Sequence, residues 1–364
     1  MSERLAGVQS LRGLAATLVV IAHAVILGIE DLNFPDDARG YASSTGAYGV
    51  FVFFVISGFI MTVTTREQFG IPSAPTIFLL KRFLRVVPIY WAITAVYMAR
   101  KLLAGQTYSL NEIFSSLLFL PYGRDSMEPI LGLGWTLNYE IFFYAVFAFC
   151  LLFSARIGIP LLLAIFGIIV AIGFALPDTA PAPIQYWTRP IILYFVAGVL
   201  LGLTYLWSLS RTFLPIMRLW MVTAVTISVC ALPSLYLLGV GSIPNPWVAG
   251  PAIAIGAVSI AALIQISSER NYVERTLQLI GDASYSIYLT HIFTHIPIVI
   301  IWRALSLPAS FSWLFYSAAV LAASVLGVLV YIAFERPVSS LARQIVSTFT
   351  SKLQHKSPPT LAVR

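Results

Sequence analysis

The stretch QSLRGLAATLVVIAHAVILG, residues 9–28, decides the fold class, because only Gln9, Ser10, Arg12, Thr17 and His23 interrupt it with polar side chains. A helix of this length crosses the roughly 30 Å hydrocarbon core of a bilayer, and a helix satisfies its own backbone hydrogen bonds there. His23 follows Arg12 by eleven positions. On a helix that spacing returns to within about 20° of the same face, about 16 Å further along the axis. One face therefore carries a cation at its start and a proton acceptor deep inside. The bland reading makes Arg12 a snorkelling anchor and His23 a residue bonded to a neighbouring helix; the functional reading makes both part of a site. The triplet Ala22-His23-Ala24 imitates a leader cleavage site, but the apolar run continues through Val25, Ile26 and Leu27, so the segment reads as a retained span.

The whole chain agrees with its first span. Of 364 residues, 59% are hydrophobic and only 10% charged, too little charge to cover a soluble domain. Spanning apolar runs lie near 11–29, 47–64, 84–103, 133–153, 157–176, 189–207, 216–240, 247–266, 280–302 and 311–334. The expected fold is an all-α, polytopic membrane bundle of about ten transmembrane helices. A short apolar piece at 113–120 is too short to cross and reads as interfacial or re-entrant. With the N-terminus cytoplasmic, sixteen Lys and Arg residues fall inside and six outside, which predicts both termini cytoplasmic. The net charge of +7 is thus spread over short loops and the tail, and nucleic acid is not an expected partner. Cys150 and Cys230 both lie in apolar runs and read as packing residues rather than a disulfide. Residues 1–340 form the membrane domain, and 341–364, basic and containing Pro358-Pro359, are expected to be a disordered cytoplasmic tail. No half-chain repeat is visible, which argues against an inverted-repeat transporter.

Five further stretches carry chemistry-bearing residues. In KRFLRVVPIY (81–90), Arg82 and Arg85 share a helix face. They read either as positive-inside anchors or, together with Arg12, as a grip on phosphates. In GVFVFFVISGFI (49–60), Ser57-Gly58 reads as a close helix contact more readily than as a nucleophile, which needs a base. In GWTLNYEIFFY (134–144), Glu140 is a carboxylate in an apolar run, costly unless paired. It is expected to orient His23, hold an acceptor hydroxyl or pair with an arginine. In GDASYSIYLTHIFTH (281–295), His291 and His295 lie at i, i+4. The zincin pattern needs Glu after the first histidine, and position 292 is Ile, so no metal site is expected. Tyr285, Tyr288 and His291 read instead as a polar seam for substrate. Finally, Glu335-Arg336-Pro337 reads as the end of the last span, with Glu335 pairing with an arginine.

Taken in order, Arg12 with His23, Ser57-Gly58-Phe59, Arg82-x-x-Arg85 before a proline, Trp135-Thr136-Leu137 with Glu140, Ser284-Tyr285 with Tyr288-Leu289 and His291, and Glu335-x-Pro337 resemble the membrane acyltransferase 3 family. The nearest flavour is the exopolysaccharide and O-antigen O-acetyltransferases, and the resemblance covers residues 5 to 340. It implies a ten-span enzyme of the inner (plasma) membrane. Such an enzyme takes an acyl group, commonly acetyl, from acyl-CoA as co-substrate to a sugar hydroxyl, with no tightly bound cofactor. The acceptor is a carbohydrate or lipid-linked saccharide. By the resemblance, His23 is the essential histidine, Arg12 its paired arginine, Arg82 and Arg85 the RxxR pair, and Glu140 the acidic residue of the tryptophan block. No large C-terminal domain follows, so a fused second activity is not expected. The rival class is an exporter of a glycan or its precursor, with the histidines relaying protons.

Overall fold

A computed structural model describes residues 5–122, 128–177, 179–209, 246–263 and 272–356. Every regular element among them is helical. In chain order they are α1 (Ala6–Leu32), α2 (Arg39–Thr65), α3 (Ala74–Leu103), α4 (Leu110–Leu117), α5 (Trp135–Leu151), α6 (Ala155–Ala175) and α7 (Ala182–Trp187). Then follow α8 (Leu193–Leu209), α9 (Pro246–Leu263), α10 (Tyr272–Asp282), α11 (Ser284–Ala304), α12 (Ser312–Val330) and α13 (Arg336–Lys356). The chain divides into two compact units, Met1–Thr64 with Arg189–Tyr331, and Thr65–Thr188 with Ile332–Arg364.

Among the described residues, seven helical stretches are long and apolar enough to cross a bilayer: Ala6–Leu32, Asp36–Thr65, Gly132–Leu151, Ala155–Ala175, Pro183–Trp207, Ser284–Ala304 and Ala309–Thr350. They correspond to seven of the ten expected runs. The run at 84–103 lies in α3, whose length suffices but which carries Lys81, Arg82, Arg85, Arg100 and Lys101 and is not one of the seven. The run at 247–266 lies in α9 (Pro246–Leu263), with Gly250–Ala262 as its apolar part, and residues 264–266 lie outside the described ones. The run at 216–240, with Cys230, lies outside the described residues.

In the first unit α1 is central, packing against α9, α10, α11 and α12. Small residues spread around it, Ala15, Ala16, Ala22 and Ala24, are all nearly inaccessible, so neighbouring helices approach closely on several sides. Ala16 and Val20 meet Ala283, Ile287 and Ala323 in one apolar cluster. In another, Phe34, Trp302 and Phe315 pack edge to face, with centroids 5.5–5.7 Å apart. Asn33 ends α1 in the left-handed conformation (φ 55°), which Asn tolerates. The acidic segment that follows is occupied structurally. Arg39 bridges Glu30 (3.1 Å) and Asp36 (2.6 Å), and Arg303 reaches the Asp31 carboxylate (3.5 Å).

The Ser57-Gly58 stretch is a packing contact, as its composition suggests. A Cβ added at Gly58 would lie 2.1 Å from the Phe195 carbonyl oxygen, and one at Gly198 would lie 2.1 Å from that of Val55. The backbones of α2 and α8 therefore touch through two glycines. Gly58→Ala is expected to lower stability by about 1–3 kcal/mol, the usual cost of overpacking. Gly167→Ala, where a Cβ meets nothing within 4 Å, is expected to be neutral or slightly stabilising. Thermal unfolding of the two variants in detergent, side by side, measures the difference.

The second unit is organised on α3, which packs against α5 and α13. The 113–120 piece lies largely in α4, eight residues started by a Ser109/Glu112 capping box. Its length, about 12 Å, cannot cross a bilayer. It is pinned to α3, with Tyr90 and Ser116 hydroxyls 3.1 Å apart and Trp91 Nε1 donating to the Leu117 carbonyl at 2.9 Å. Leu110, Phe114 and Leu118 stay exposed. On α5, the Tyr139 hydroxyl donates to the Tyr186 carbonyl and the Tyr186 hydroxyl to that of Trp135, both at 2.7 Å, with the two tyrosine rings stacked.

Two expectations about the C-terminus need correction. Pro337 does not end the helical path: Tyr331–Glu335 forms a π-helical turn and α13 follows. Proline has no N–H for the carbonyl four residues back, and the wider register spans that missing bond. Nor are residues 341–356 disordered, because they complete α13, which packs against α3 and buries Val346. The apolar residues Leu341, Ile345 and Val346 recur at helical spacing among polar ones, and this periodicity outweighs the tail's overall polarity. Residues 357–364, with Pro358-Pro359, lie outside the described part.

Candidate functional site

In the first unit, α1 carries both Arg12 and His23 without a break, each partly buried. The N-terminal end of α1 is tied down by Gln9, whose Nε2 donates to Asp282 Oδ1 at 2.8 Å. Deeper along the helix, Ala22 and Ala24 flank His23 and let α11 come close. His291 on α11 faces it, with ring centroids 5.0 Å apart and planes tilted by 45°.

The hydrogen bonds define what each imidazole can do. His23 Nδ1 lies 2.9 Å from the Val19 carbonyl oxygen. A carbonyl only accepts, so Nδ1 carries the hydrogen, and in the neutral ring Nε2 holds the basic lone pair. His291 repeats the arrangement, its Nδ1 donating to the Tyr288 carbonyl at 2.8 Å. His291 is fully buried, and its Nε2 has no hydrogen-bond partner. One turn on, His295 stacks edge to face on His291 at 5.2 Å, and its Nε2 is likewise buried and unpartnered. On the same helix the rings of Tyr288 and His291 are 6.3 Å apart. Tyr285 is partly buried on the same helix. Among the described residues, no three His, Cys, Asp or Glu side chains are arranged to hold a metal ion.

In the second unit, Arg82 on α3 lies against a pair of touching rings, 5.6 Å from the Phe78 centroid and 5.8 Å from that of Tyr144, the rings themselves being 5.9 Å apart. Glu140 on α5 accepts a hydrogen bond from the Tyr144 hydroxyl one turn on, and lies within electrostatic reach of Arg82. Arg85, one turn along α3, is a like charge near Arg82. Glu140 thus has the Tyr144 hydroxyl as a hydrogen-bond donor and a cation, Arg82, within electrostatic reach. His23 is oriented by the Val19 carbonyl, which lies four residues back on the same helix.

Some polar residues carry more weight than their sequence context signalled. Asn138 is almost fully buried on α5 with both amide atoms unpartnered, and the Ser284 hydroxyl is buried and unpartnered at the start of α11. The signal for Asn138 was present as an amide inside an apolar run. His295 was visible only as the second half of a rejected metal pattern.

A family model described as an acyltransferase domain matches residues 5–333. The chain is 34% identical over 311 residues to the exopolysaccharide production protein ExoZ of Rhizobium meliloti (strain 1021), covering 83% of this chain and 92% of the relative. No solved structure matches it. The matched span runs from the start of α1 to the π turn and takes in the histidine pair, the Arg82–Glu140–Tyr144 cluster and the apolar helices that carry them, and the chain belongs to the membrane acyltransferase 3 family.

Proposed function

We propose that this chain is an O-acyltransferase that moves an acyl group, acetyl in the simplest case, from acyl-CoA to a hydroxyl of an exported or cell-surface carbohydrate. The observation that carries the reading is His23, whose Nδ1–H is held by Val19 so that Nε2 remains a base within an apolar bundle. The relative's name supports an exopolysaccharide as the exported carbohydrate. The distribution of Lys and Arg supports the inner membrane with both termini, and acyl-CoA, on the cytoplasmic side.

The chemistry is one addition and one elimination. The sugar hydroxyl oxygen attacks the thioester carbonyl while its proton passes to His23 Nε2. The tetrahedral intermediate then collapses, the C–S bond breaks, and the imidazolium returns the proton to the leaving thiolate. Guanidiniums suit the phosphates of CoA because their paired N–H groups match two oxygens at once. Arg12 in the first unit and Arg82 and Arg85 in the second are each assigned to phosphate, Arg82 with the Tyr144 ring against it and Glu140 near it. The hydroxyls of Tyr285 and Tyr288 are assigned to the sugar.

Acetyl-CoA is expected to raise the unfolding midpoint of the purified protein, since a ligand of the native state at a hundred times its Kd adds about 2.7 kcal/mol. A CoA derivative lacking the 3′-phosphate is expected to raise it less. Absence of any shift at millimolar acetyl-CoA counts against the donor assignment.

A further inference from the structure

Resting on the acyltransfer reading above, we infer that His291 is a positioning residue for the reaction: its Nε2 accepts a hydrogen bond from the N–H that His23 gains on taking the hydroxyl proton, and so keeps that proton at the site until the thiolate leaves.

The argument starts from the lone pairs. Each ring donates its Nδ1–H to a carbonyl of its own helix, His23 to Val19 and His291 to Tyr288. Both Nε2 atoms are therefore acceptors in the resting protein, and two acceptors cannot bond to each other. A buried acceptor without a donor is costly, and His291 Nε2 is such an atom, in a side chain with no exposure. The arrangement gains a bond only when one proton is added between the rings. The rings stand close enough for such a bond to form on a modest tilt of either plane: their centroids are 5.0 Å apart, with the planes inclined by 45°.

During the reaction, one proton is added. The hydroxyl O–H bond breaks, the oxygen forms its bond to the thioester carbonyl carbon, and the proton becomes the Nε2–H of His23. With Nδ1–H still on the Val19 carbonyl the ring keeps its place, and the new N–H is shared between the ester oxygen and His291 Nε2. The shared proton stays close to where it is needed, and the bond to His291 holds back its return to the ester oxygen, which would reverse the addition. When the C–S bond breaks, the thiolate sulfur takes it and both histidines are neutral again. An interaction absent from the ground state and present once charge has developed lowers the barrier without tightening substrate binding. No carboxylate is required, because the backbone carbonyl of Val19 already fixes the far side of the His23 ring. The signal in the sequence is the distance between the two residues, 23 and 291; only the packing of α11 on α1 makes them neighbours.

The test uses the full chain in lipid nanodiscs, acetyl-CoA as donor, and the polysaccharide fraction of a strain lacking the gene as acceptor, with thiol release as readout. His291→Leu removes the acceptor and is expected to lower kcat by tenfold or more, with KM for acetyl-CoA changed less than threefold. His291→Gln keeps an acceptor oxygen on a similar stem and is expected to recover most of that loss. If Leu and Gln are equally impaired, or if the change appears in KM rather than kcat, His291 only fills space and the inference is wrong. If His291→Leu turns over like wild type while His23→Ala is dead, the inference alone is overturned. If His23→Ala is itself as active as wild type, the base reading falls and takes the inference with it.

Discussion

A strain whose only copy carries His23→Ala is expected to lose the base-labile acyl esters of its exported polysaccharide. The size of the effect follows from chemistry at one atom. An alcohol attacking a thioester becomes strongly acidic only as the new bond forms, and a positioned base that takes the proton then is worth about 10²–10⁴ in rate. In His23 that base is Nε2, because Nδ1–H is committed to the Val19 carbonyl. Alanine at this position continues the Ala22 and Ala24 pattern of the helix and should leave its packing intact. NMR of the polysaccharide before and after mild base, with the variant shown to reach the membrane, gives the measurement. Restoration by wild type and not by the variant establishes the histidine as reaction machinery. Equal restoration by both makes His23 a packing residue. Failure of both, with a change in the amount of polysaccharide exported, moves the chain to the exporter class.

Arg82→Leu is expected to raise KM for acyl-CoA by about 10–100-fold and to remove most of the thermal shift that acetyl-CoA produces, since a hydrogen bond to a charged group is worth about 1.5–3 kcal/mol. Arg82 rests against the Phe78 and Tyr144 rings, near Glu140. That setting orients a planar, forked cation. Lysine offers a point charge on a flexible stem, so Arg82→Lys is expected to recover little. Removing the arginine also leaves Glu140 without that cation, and some loss of stability in the absence of ligand is expected. The unliganded unfolding midpoint separates the two effects. A variant with a lowered midpoint and an undiminished acetyl-CoA shift shows that Arg82 serves the fold and does not bind the donor.

The α13 segment shows where local reading fails. Composition over residues 341–364 is polar and basic, and a disordered tail follows from it. Yet Leu341, Ile345 and Val346 place an apolar stripe on one side of a helix, and α3 supplies the surface that buries Val346. A stripe of this kind is only as ordered as its partner allows, and the partner lies far away in sequence.

The sequence by itself determined that the chain crosses a membrane, because a helix in lipid must satisfy its backbone internally and show apolar side chains for its whole length. It also determined that Arg12 and His23 share one helix face, since spacing along a single helix is a local property. Glu140 was legible as a residue requiring a partner, because a lone carboxylate in an apolar run is costly. One partner, the Tyr144 hydroxyl, is local, one turn on along α5; the nearby cation, Arg82, was a tertiary matter, decided when α3 packed on α5. The meeting of His23 and His291 was decided in the same way. Their juxtaposition depends on two helices packed through small residues, and no periodicity along one helix encodes what the other helix brings.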